Sequence, residues 1–252
     1  IQYGMVSSGN FDTVFVDDAV PGATITGLTN GVEYQFRVVV KNTIGTGSAS
    51  NVVTATPVFL TDVTWVDQVG VSVNGNTITK SAPPGWGNSG AGSLENFTGD
   101  GGVQFTASAA DAAANGRPMC GLSSTNRNAS YNTIEYAIFL RGTGSAVQLR
   151  VYENGIDRGA FGTYQVGDVF KVERIGSTIV YRKNNVIFYT SATQTNLPLS
   201  VYAAIYNNGG EIRDATLTGA PGVPADINDL TVIAGDTDAD LSWTAPPNNL
   251  SL

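Results

Sequence analysis

The sequence predicts an all-β protein built from antiparallel sandwiches. Three observations carry this expectation. Apolar and polar residues alternate with a period of two along most ordered-looking runs. Dipeptides suited to positive φ separate those runs: Asn74-Gly75, Asn154-Gly155, Asn184-Asn185 and Asn208-Gly209. Only one stretch, Ala107 to Asn115, is Ala-rich, and it reads as at most one short, uncapped helical turn.

In chain order, the first runs are Ala23–Leu28 and Tyr34–Val40, and Thr54-Ala55-Thr56-Pro57 closes that block. Pro cannot donate to a ladder, so it suits a strand end or linker. Thr64-Trp65-Val66 opens the middle of the chain. There Ile134, Tyr136, Ile138 and Leu140 face one way, with Glu135 and Arg141 facing the other. Val147, Leu149 and Val151 repeat the pattern against Gln148 and Arg150. Phe170–Val172, Ile179–Tyr181, Val186–Phe188 and Val201–Ile205 continue it. Such alternation predicts one buried and one wet sheet face. Pro221-Gly222-Val223-Pro224 marks a second junction, before the runs Leu230–Val232 and Ala239–Trp243. The blocks are therefore 1–57, 58–220 and 221–252.

Composition excludes several function classes. The chain has 252 residues, of which 42% are hydrophobic and 13% charged, so a packed core is affordable and disorder is not expected. No apolar run reaches the length of a membrane-spanning helix, and no membrane insertion is expected. There is no His, which removes Ser-His-Asp and Cys-His nucleophiles and His-ligated zinc or haem. Net charge is -8 and the 13 Lys and Arg are scattered, so nucleic acid is not an expected partner. The single Cys120 cannot form an internal disulfide and reads as a small core residue. The first residue is Ile1 rather than Met, which reads as a processed chain or a segment of a longer one.

Block 1–57 holds Leu28 and Tyr34, then Tyr34-Gln35-Phe36-Arg37-Val38-Val39-Val40, then Asn42-Thr43-Ile44-Gly45 and Thr54-Ala55-Thr56-Pro57. This resembles the later strands (C to G) of a fibronectin type III domain, with Leu28 and Tyr34 similar to its tyrosine corner. Such sandwiches need about 100 residues. Block 221–252 resembles the two missing first strands (A and B), with Trp243 in the place of the family's core Trp. The two outer blocks together have about the length of one domain, and Asn248–Leu252 would run naturally into Ile1-Gln2-Tyr3. The resemblance thus implies a sandwich split across the chain ends, with Ile1, Tyr3, Trp243 and Leu252 in the joining segments. Three arrangements remain open: one period of a tandem polypeptide, strand exchange between copies, and closure within the chain. The first two give identical copies joined head-to-tail, because a heterologous contact that does not close propagates.

In block 58–220, Gly167-Asp168-Val169-Phe170 through Tyr181-Arg182-Lys183-Asn184-Asn185 resembles a hairpin of the concanavalin A-like and SPRY jelly rolls. Asn185 stands where Gly is usual, and Asn tolerates the same backbone. The fold expected is thus a split fibronectin type III sandwich plus a larger antiparallel jelly-roll sandwich. The paired-carboxylate strand of glucanases on this fold is absent, and Glu135 and Glu173 read as solvated strand residues. No catalytic residue, cofactor or metal site is expected; Asp236–Asp240 lacks the Gly and distal Glu of a calcium loop, and Asp17-Asp18 offers less.

Trp86, in Pro83-Pro84-Gly85-Trp86-Gly87-Asn88, carries two readings: a plug folded back into one end of the sandwich, or a platform for a sugar ring with Asn88 beside it. Tyr152, Tyr164, Tyr202 and Tyr206 read as strand packing. Asn96, Asn128 and Asn249 lie in glycosylation sequons. The functional expectation is a non-enzymatic extracellular or cell-surface fibre repeat, a virion fibre included. Its rival is a carbohydrate-binding region of a secreted polysaccharide hydrolase, with surface glycans as partners.

Overall fold

A computed structural model describes residues 1–13, 25–112, 116–125, 128–143, 146–219, 231–234 and 239–242. The chain divides into two compact units, Ile1–Phe59 and Leu60–Leu252. In the first, β1 (Gln2–Met5), β2 (Asp12–Thr13), β3 (Tyr34–Arg37) and β4 (Val53–Ala55) form one antiparallel sheet in the order β2-β1-β3-β4. Cross-strand register puts Tyr3 beside Phe36 and Phe36 beside Val53. It also puts Met5 beside Tyr34. Tyr3, Met5, Tyr34, Phe36 and Val53 therefore share one face, while Gln2, Gln35 and Arg37 occupy the other. The Tyr34 hydroxyl accepts the Thr29 N–H at 3.1 Å, tying the preceding loop to β3.

The second unit is a jelly-roll sandwich. Its strands begin with β5 (Leu60–Asp62), β6 (Trp65–Val69), β7 (Val71–Asn74), β8 (Thr77–Lys80), β9 (Gly90–Phe97), β10 (Gly101–Thr106) and β11 (Pro118–Ser123). They continue with β12 (Tyr136–Thr143), β13 (Ala146–Glu153), β14 (Ile156–Ala160), β15 (Val169–Ile175) and β16 (Thr178–Lys183). The last are β17 (Val186–Gln194), β18 (Leu199–Ile205) and β19 (Glu211–Gly219), while β20 (Thr231–Ala234) and β21 (Ala239–Ser242) form a separate two-stranded sheet. One sheet runs β17-β16-β15-β10-β19-β8-β7, with β5 also on β19; the other runs β14-β13-β12-β11-β18-β9-β6. Between them lies a core that includes Phe105, Phe170, Val172 and Tyr181 from the first sheet and Leu122, Ile138, Leu149 and Val201 from the second. Burying the inner faces of two sheets is what the period-two pattern requires. Cys120 sits in this core, fully buried, and burial pushes its thiol up.

The turns behave as their residues dictate. Asn154 and Gly155 have φ of 50° and 75°, and Asn184 and Asn185 have 49° and 67°. Two successive positive φ angles match the right-handed twist of a tight hairpin, which is why Asn and Gly occupy them. The third block supplies the β20–β21 hairpin. Trp243, Asn249 and Leu252 lie outside the described residues, as do Asp17, Asp18 and 235–238.

Four expectations need correction. The Ala-rich turn, α1 (Ala109–Ala112), is capped after all. The Ser108 Oγ accepts the Asp111 N–H (3.2 Å), and the Asp111 carboxylate accepts the Ser108 N–H (3.0 Å). This is a reciprocal capping box with Asp in the place of Glu. Glu173 is buried rather than solvated, because Lys171 and Arg182 both pair with it. Ile134 does not share the inner face with Tyr136, since a 3₁₀ turn at Tyr131–Thr133 shifts the phase just before β12. Finally, the outer face of the seven-stranded sheet is not simply wet, and that departure creates the candidate site.

Candidate functional site

On β11, β12, β13 and β18 the side chains alternate across the sheet. Cys120, Leu122, Ile138, Leu140, Leu149, Val151, Val201 and Ala203 point into the sandwich. The opposite phase should be polar, yet it carries Met119, Ala137, Phe139, Tyr202 and Ala204, which form a second buried apolar cluster. Register aligns them in rows: Ala204, Met119 and Phe139 are cross-strand neighbours, and so are Ala137 and Tyr152. Cross-strand aromatic and aliphatic pairs stabilise a sheet face when something covers them.

Two loop aromatics supply the cover. Trp86 packs on Tyr131 at 4.8 Å between ring centroids, on Tyr206 at 5.2 Å and on Phe139 at 5.8 Å. Tyr152 meets Phe139 edge-on at 5.5 Å and Tyr131 at 6.1 Å. Edge-to-face and tilted contacts of this kind fix ring orientation. Trp86 therefore joins the outer-face cluster and does not plug the space between the sheets. The rings leave a cleft of about 180 Å³, lined by Trp86, Arg117, Met119, Tyr131, Phe139, Arg141 and Tyr152.

The loop that carries Trp86 is held from below. Lys80, at the end of β8, is 2% exposed. Its ammonium donates to the Gly85 carbonyl (2.8 Å), the Asn88 Oδ1 (2.6 Å) and the Ile205 carbonyl (2.9 Å). All three of its donors are thus used, and burial pulls its pKa down. Asn88 donates in turn to the Pro83 carbonyl (3.0 Å), and the Gly85 N–H donates to the Tyr206 carbonyl (2.8 Å). Asn88 consequently buttresses the loop and does not line the cleft.

Charge on the cleft is one-sided. Arg117 has φ of 49°, a strained backbone for a bulky residue, and its Nε donates to the Gly142 carbonyl (3.0 Å). Its guanidinium lies 5.3 Å from the Tyr206 ring centroid. Asp157 accepts hydrogen bonds from Arg150 (2.5 Å) and from the hydroxyl of the cleft-lining Tyr152 (3.3 Å). Burial pushes the Asp157 carboxyl up, but the Arg150 guanidinium and the Gly159 N–H outweigh it and hold the group below its ordinary value. Tyr152 is shifted up, by burial first and Asp157 second.

The other sequence candidates fall elsewhere. Tyr164 is buried in the inter-sheet core, and its hydroxyl donates to the Asp111 carbonyl at 3.0 Å. Tyr202 packs in the outer-face cluster. Asn96 is half-buried on β9, beside Ser200 of β18. Asn128 is exposed in the loop before the 3₁₀ turn, where its Oδ1 accepts from the Ser130 N–H and the Thr133 hydroxyl, both at 2.9 Å. Tyr3 lies on β1, stacked 6.4 Å from Phe36, and Ile1 precedes it. Glu135 accepts from the Ser124 N–H (3.1 Å) and hydroxyl (2.7 Å) and so closes a loop. Met119, Phe139, Tyr131 and the two arginines were not singled out from the sequence. For Met119 and Phe139 the signal was there, as apolar residues at the supposedly wet phase of adjoining strands. Among the described residues, no group of three or more acidic or Cys side chains is placed to hold a metal ion.

No protein-family model and no curated protein matches the chain. Solved structures similar in backbone include the carbohydrate recognition domain of Emp47p, at 11% identity, covering 63% of this chain and 89% of that one, with a TM-score of 0.40. The TRIM65 PSpry domain is similar at 10% identity, 63% and 91% coverage and a TM-score of 0.40. The carbohydrate-binding module CBM66 from Bacillus subtilis is similar at 13% identity, 64% and 90% coverage and a TM-score of 0.35. All three are distant.

Proposed function

We propose that the jelly-roll unit is a carbohydrate-binding module, and that the aromatic cleft on its outer sheet face holds a sugar ring. The supporting observation is the cleft itself: Trp86, Tyr131, Phe139 and Tyr152 wall about 180 Å³ on a face that alternation predicts to be polar. Sites for drug-sized ligands occupy roughly 300–1,000 Å³, so this volume suits one ring and not a long glycan. A pyranose has apolar C–H faces that stack on aromatic rings and polar edges that accept and donate hydrogen bonds. Rings pinned by mutual contacts bind at low entropic cost. Binding fits this lining better than hydrolysis, which uses a pair of carboxylates across the scissile bond. The role implies a secreted or surface protein. No helix among the described residues is long and apolar enough to cross a membrane.

The test is a glycan array followed by calorimetry. Trp86→Ala is expected to weaken binding of any retained glycan by about tenfold or more, since one stacked ring contributes roughly 1–3 kcal/mol. Full affinity in that variant would remove the cleft from the reading.

A second reading concerns the first unit. We propose that Ile1–Phe59 is part of a fibronectin type III sandwich, completed by residues 221–252 of another copy. Its support is the amphipathic four-stranded sheet and the Tyr34–Thr29 hydrogen bond. On the apolar face Met5 and Val53 are 48% and 55% exposed, which asks for a covering sheet. Adding a peptide of residues 221–252 is expected to slow amide exchange in β1 and β3. Unchanged exchange at saturating peptide would remove strand completion as the joint.

A further inference from the structure

We infer that the cleft selects sugars bearing an anionic group, with Arg117 and Arg141 as the anion-binding pair. This rests on the carbohydrate-binding reading above and names the ligand class. In a chain of net charge -8, two of the seven cleft-lining residues are arginines and none is an acid.

Met119 of β11 pairs with Phe139 of β12 in an antiparallel ladder. Arg117, just before β11, and Arg141, on β12, both line the cleft beside this pair. The bond from Arg117 Nε to the Gly142 carbonyl ties the two strands together at this point. Like charges gathered around one cleft repel, and a carboxylate between them would relieve the repulsion. Here none pairs with either guanidinium among the described residues. The ion pairs among the described residues lie elsewhere and include Arg150 with Asp157, Arg158 with Glu153, Lys171 and Arg182 with Glu173, Lys183 with Asp168, and Arg213 with Asp214. Two guanidiniums without a carboxylate partner thus border a ready cavity, one of them on a residue whose backbone is itself strained. Strain and uncompensated like charge at one spot are the marks of a site built for a ligand.

An anion between the two guanidiniums relieves the repulsion. It also gains charge-assisted hydrogen bonds from Nη atoms that the Nε bond of Arg117 has oriented. The planar guanidinium fork matches a carboxylate in two parallel bonds, while the Trp86 and Tyr152 rings take the apolar face of the same sugar. Uronates and sialic acids carry a carboxylate, and sulfated sugars carry another anion of suitable size.

The experiment is a panel titration of the whole chain at low and high salt. It uses oligogalacturonate and its carboxyl-reduced neutral counterpart, a sialylated oligosaccharide, a sulfated galactan oligosaccharide, and neutral gluco- and manno-oligosaccharides. Three variants accompany the native chain: Arg141→Gln, Arg117→Gln and Trp86→Ala. The expected result is binding of at least one acidic glycan, at least about tenfold tighter than its neutral counterpart and weakened by salt. Arg141→Gln removes that preference and the salt dependence but leaves residual stacking, whereas Trp86→Ala weakens acidic and neutral ligands alike. Carboxylated glycans binding above sulfated ones identify the uronate or sialate class, and the reverse order identifies sulfate. Equal binding of acidic and neutral glycans, unchanged in Arg141→Gln, overturns the anionic selectivity while the carbohydrate reading stands. Binding of none of the panel overturns both. Because Arg117 has a structural bond to β12, Arg141→Gln is the deciding variant if Arg117→Gln folds poorly.

Discussion

Lys80→Met is expected to lower stability by about 3 kcal/mol and to abolish glycan binding, although Lys80 does not touch the cleft. The ammonium is the hub that joins the Trp86 loop to the sandwich, through Gly85, Asn88 and Ile205. Met keeps the length and much of the volume of the Lys stem, so little cavity term enters. What is lost is three charge-assisted hydrogen bonds in a site that is 2% exposed. Each acceptor left dry costs about 1–3 kcal/mol, and coupled losses do not add fully. With Asn88 released, Gly85 keeps only its N–H bond to the Tyr206 carbonyl, and Trp86 loses its fixed height over Phe139. Urea unfolding and glycan titration on the same sample check this. An unchanged midpoint with unchanged affinity would show that the loop stands without the ammonium. The comparison with Trp86→Ala separates the two roles, since that variant removes the stacking ring and leaves the Lys80 hydrogen bonds in place.

Stability is expected to fall by about 3 kcal/mol between pH 4 and pH 7 on account of Asp111 alone. Burial raises this carboxyl from 3.8 to about 6, against the hydrogen bonds from Ser108 and the Glu211 N–H, and the nearby Glu211 charge adds to the rise. The folded state therefore keeps a proton that the unfolded chain releases near pH 4. Where the folded state binds more protons, stability decreases as pH rises, so the loss runs from about pH 4 to about pH 6 and then stops. Other acids act with the opposite sign at lower pH. Burial pushes Asp168 up, but Lys183, Asn184 and the Gln165 N–H outweigh it and hold the group below its ordinary value. Glu173 is likewise held down by Lys171 and Arg182 against its burial. Their contribution is lost as pH falls below about 4, so this unit should be most stable near pH 4–5. Urea unfolding of the native chain and Asp111→Asn across pH 4 to 7.5 tests this. The difference between the two should change by about 3 kcal/mol over that range. A constant difference would mean that folding leaves the Asp111 carboxyl at its ordinary value.

Much of the inner architecture could be read from local pattern. Ile138, Leu140, Leu149, Val151 and Val201 were placed on buried faces by alternation alone, and they do line the inter-sheet core. The Asn-Gly and Asn-Asn dipeptides marked tight turns because their φ requirement is intrinsic to those residues. The Ser108–Asp111 box was missed because the sequence signature is weak when Asp replaces Glu and the helix spans only Ala109–Ala112. Glu173 was misplaced because a period-two pattern cannot know that Lys171 and Arg182 come from flanking register positions to neutralise it.

The candidate site was legible only in part. Trp86 stood out as a lone aromatic in a Pro-Gly loop, and its two readings could not be separated without knowing which face the loop folds over. Asn88 stood out with it, yet its amide is consumed by Lys80 and Pro83, eight and five residues away. Phe139, Met119 and Tyr152 lie on three different strands, and only the order β13-β12-β11 brings them together.

The sequence by itself determined the all-β class, the inner faces of most strands and the positions of the turns. These follow from rules acting over a few residues: side-chain alternation, the φ preferences of Asn and Gly, and the missing donor of Pro. Only the tertiary structure decided that the outer sheet face is roofed by Trp86, that Lys80 holds the roof, and that Arg117 and Arg141 line the same cleft. Those facts depend on strand order and register between segments separated by tens of residues. Strand order is selected by the burial of the whole core, and no local pattern encodes it.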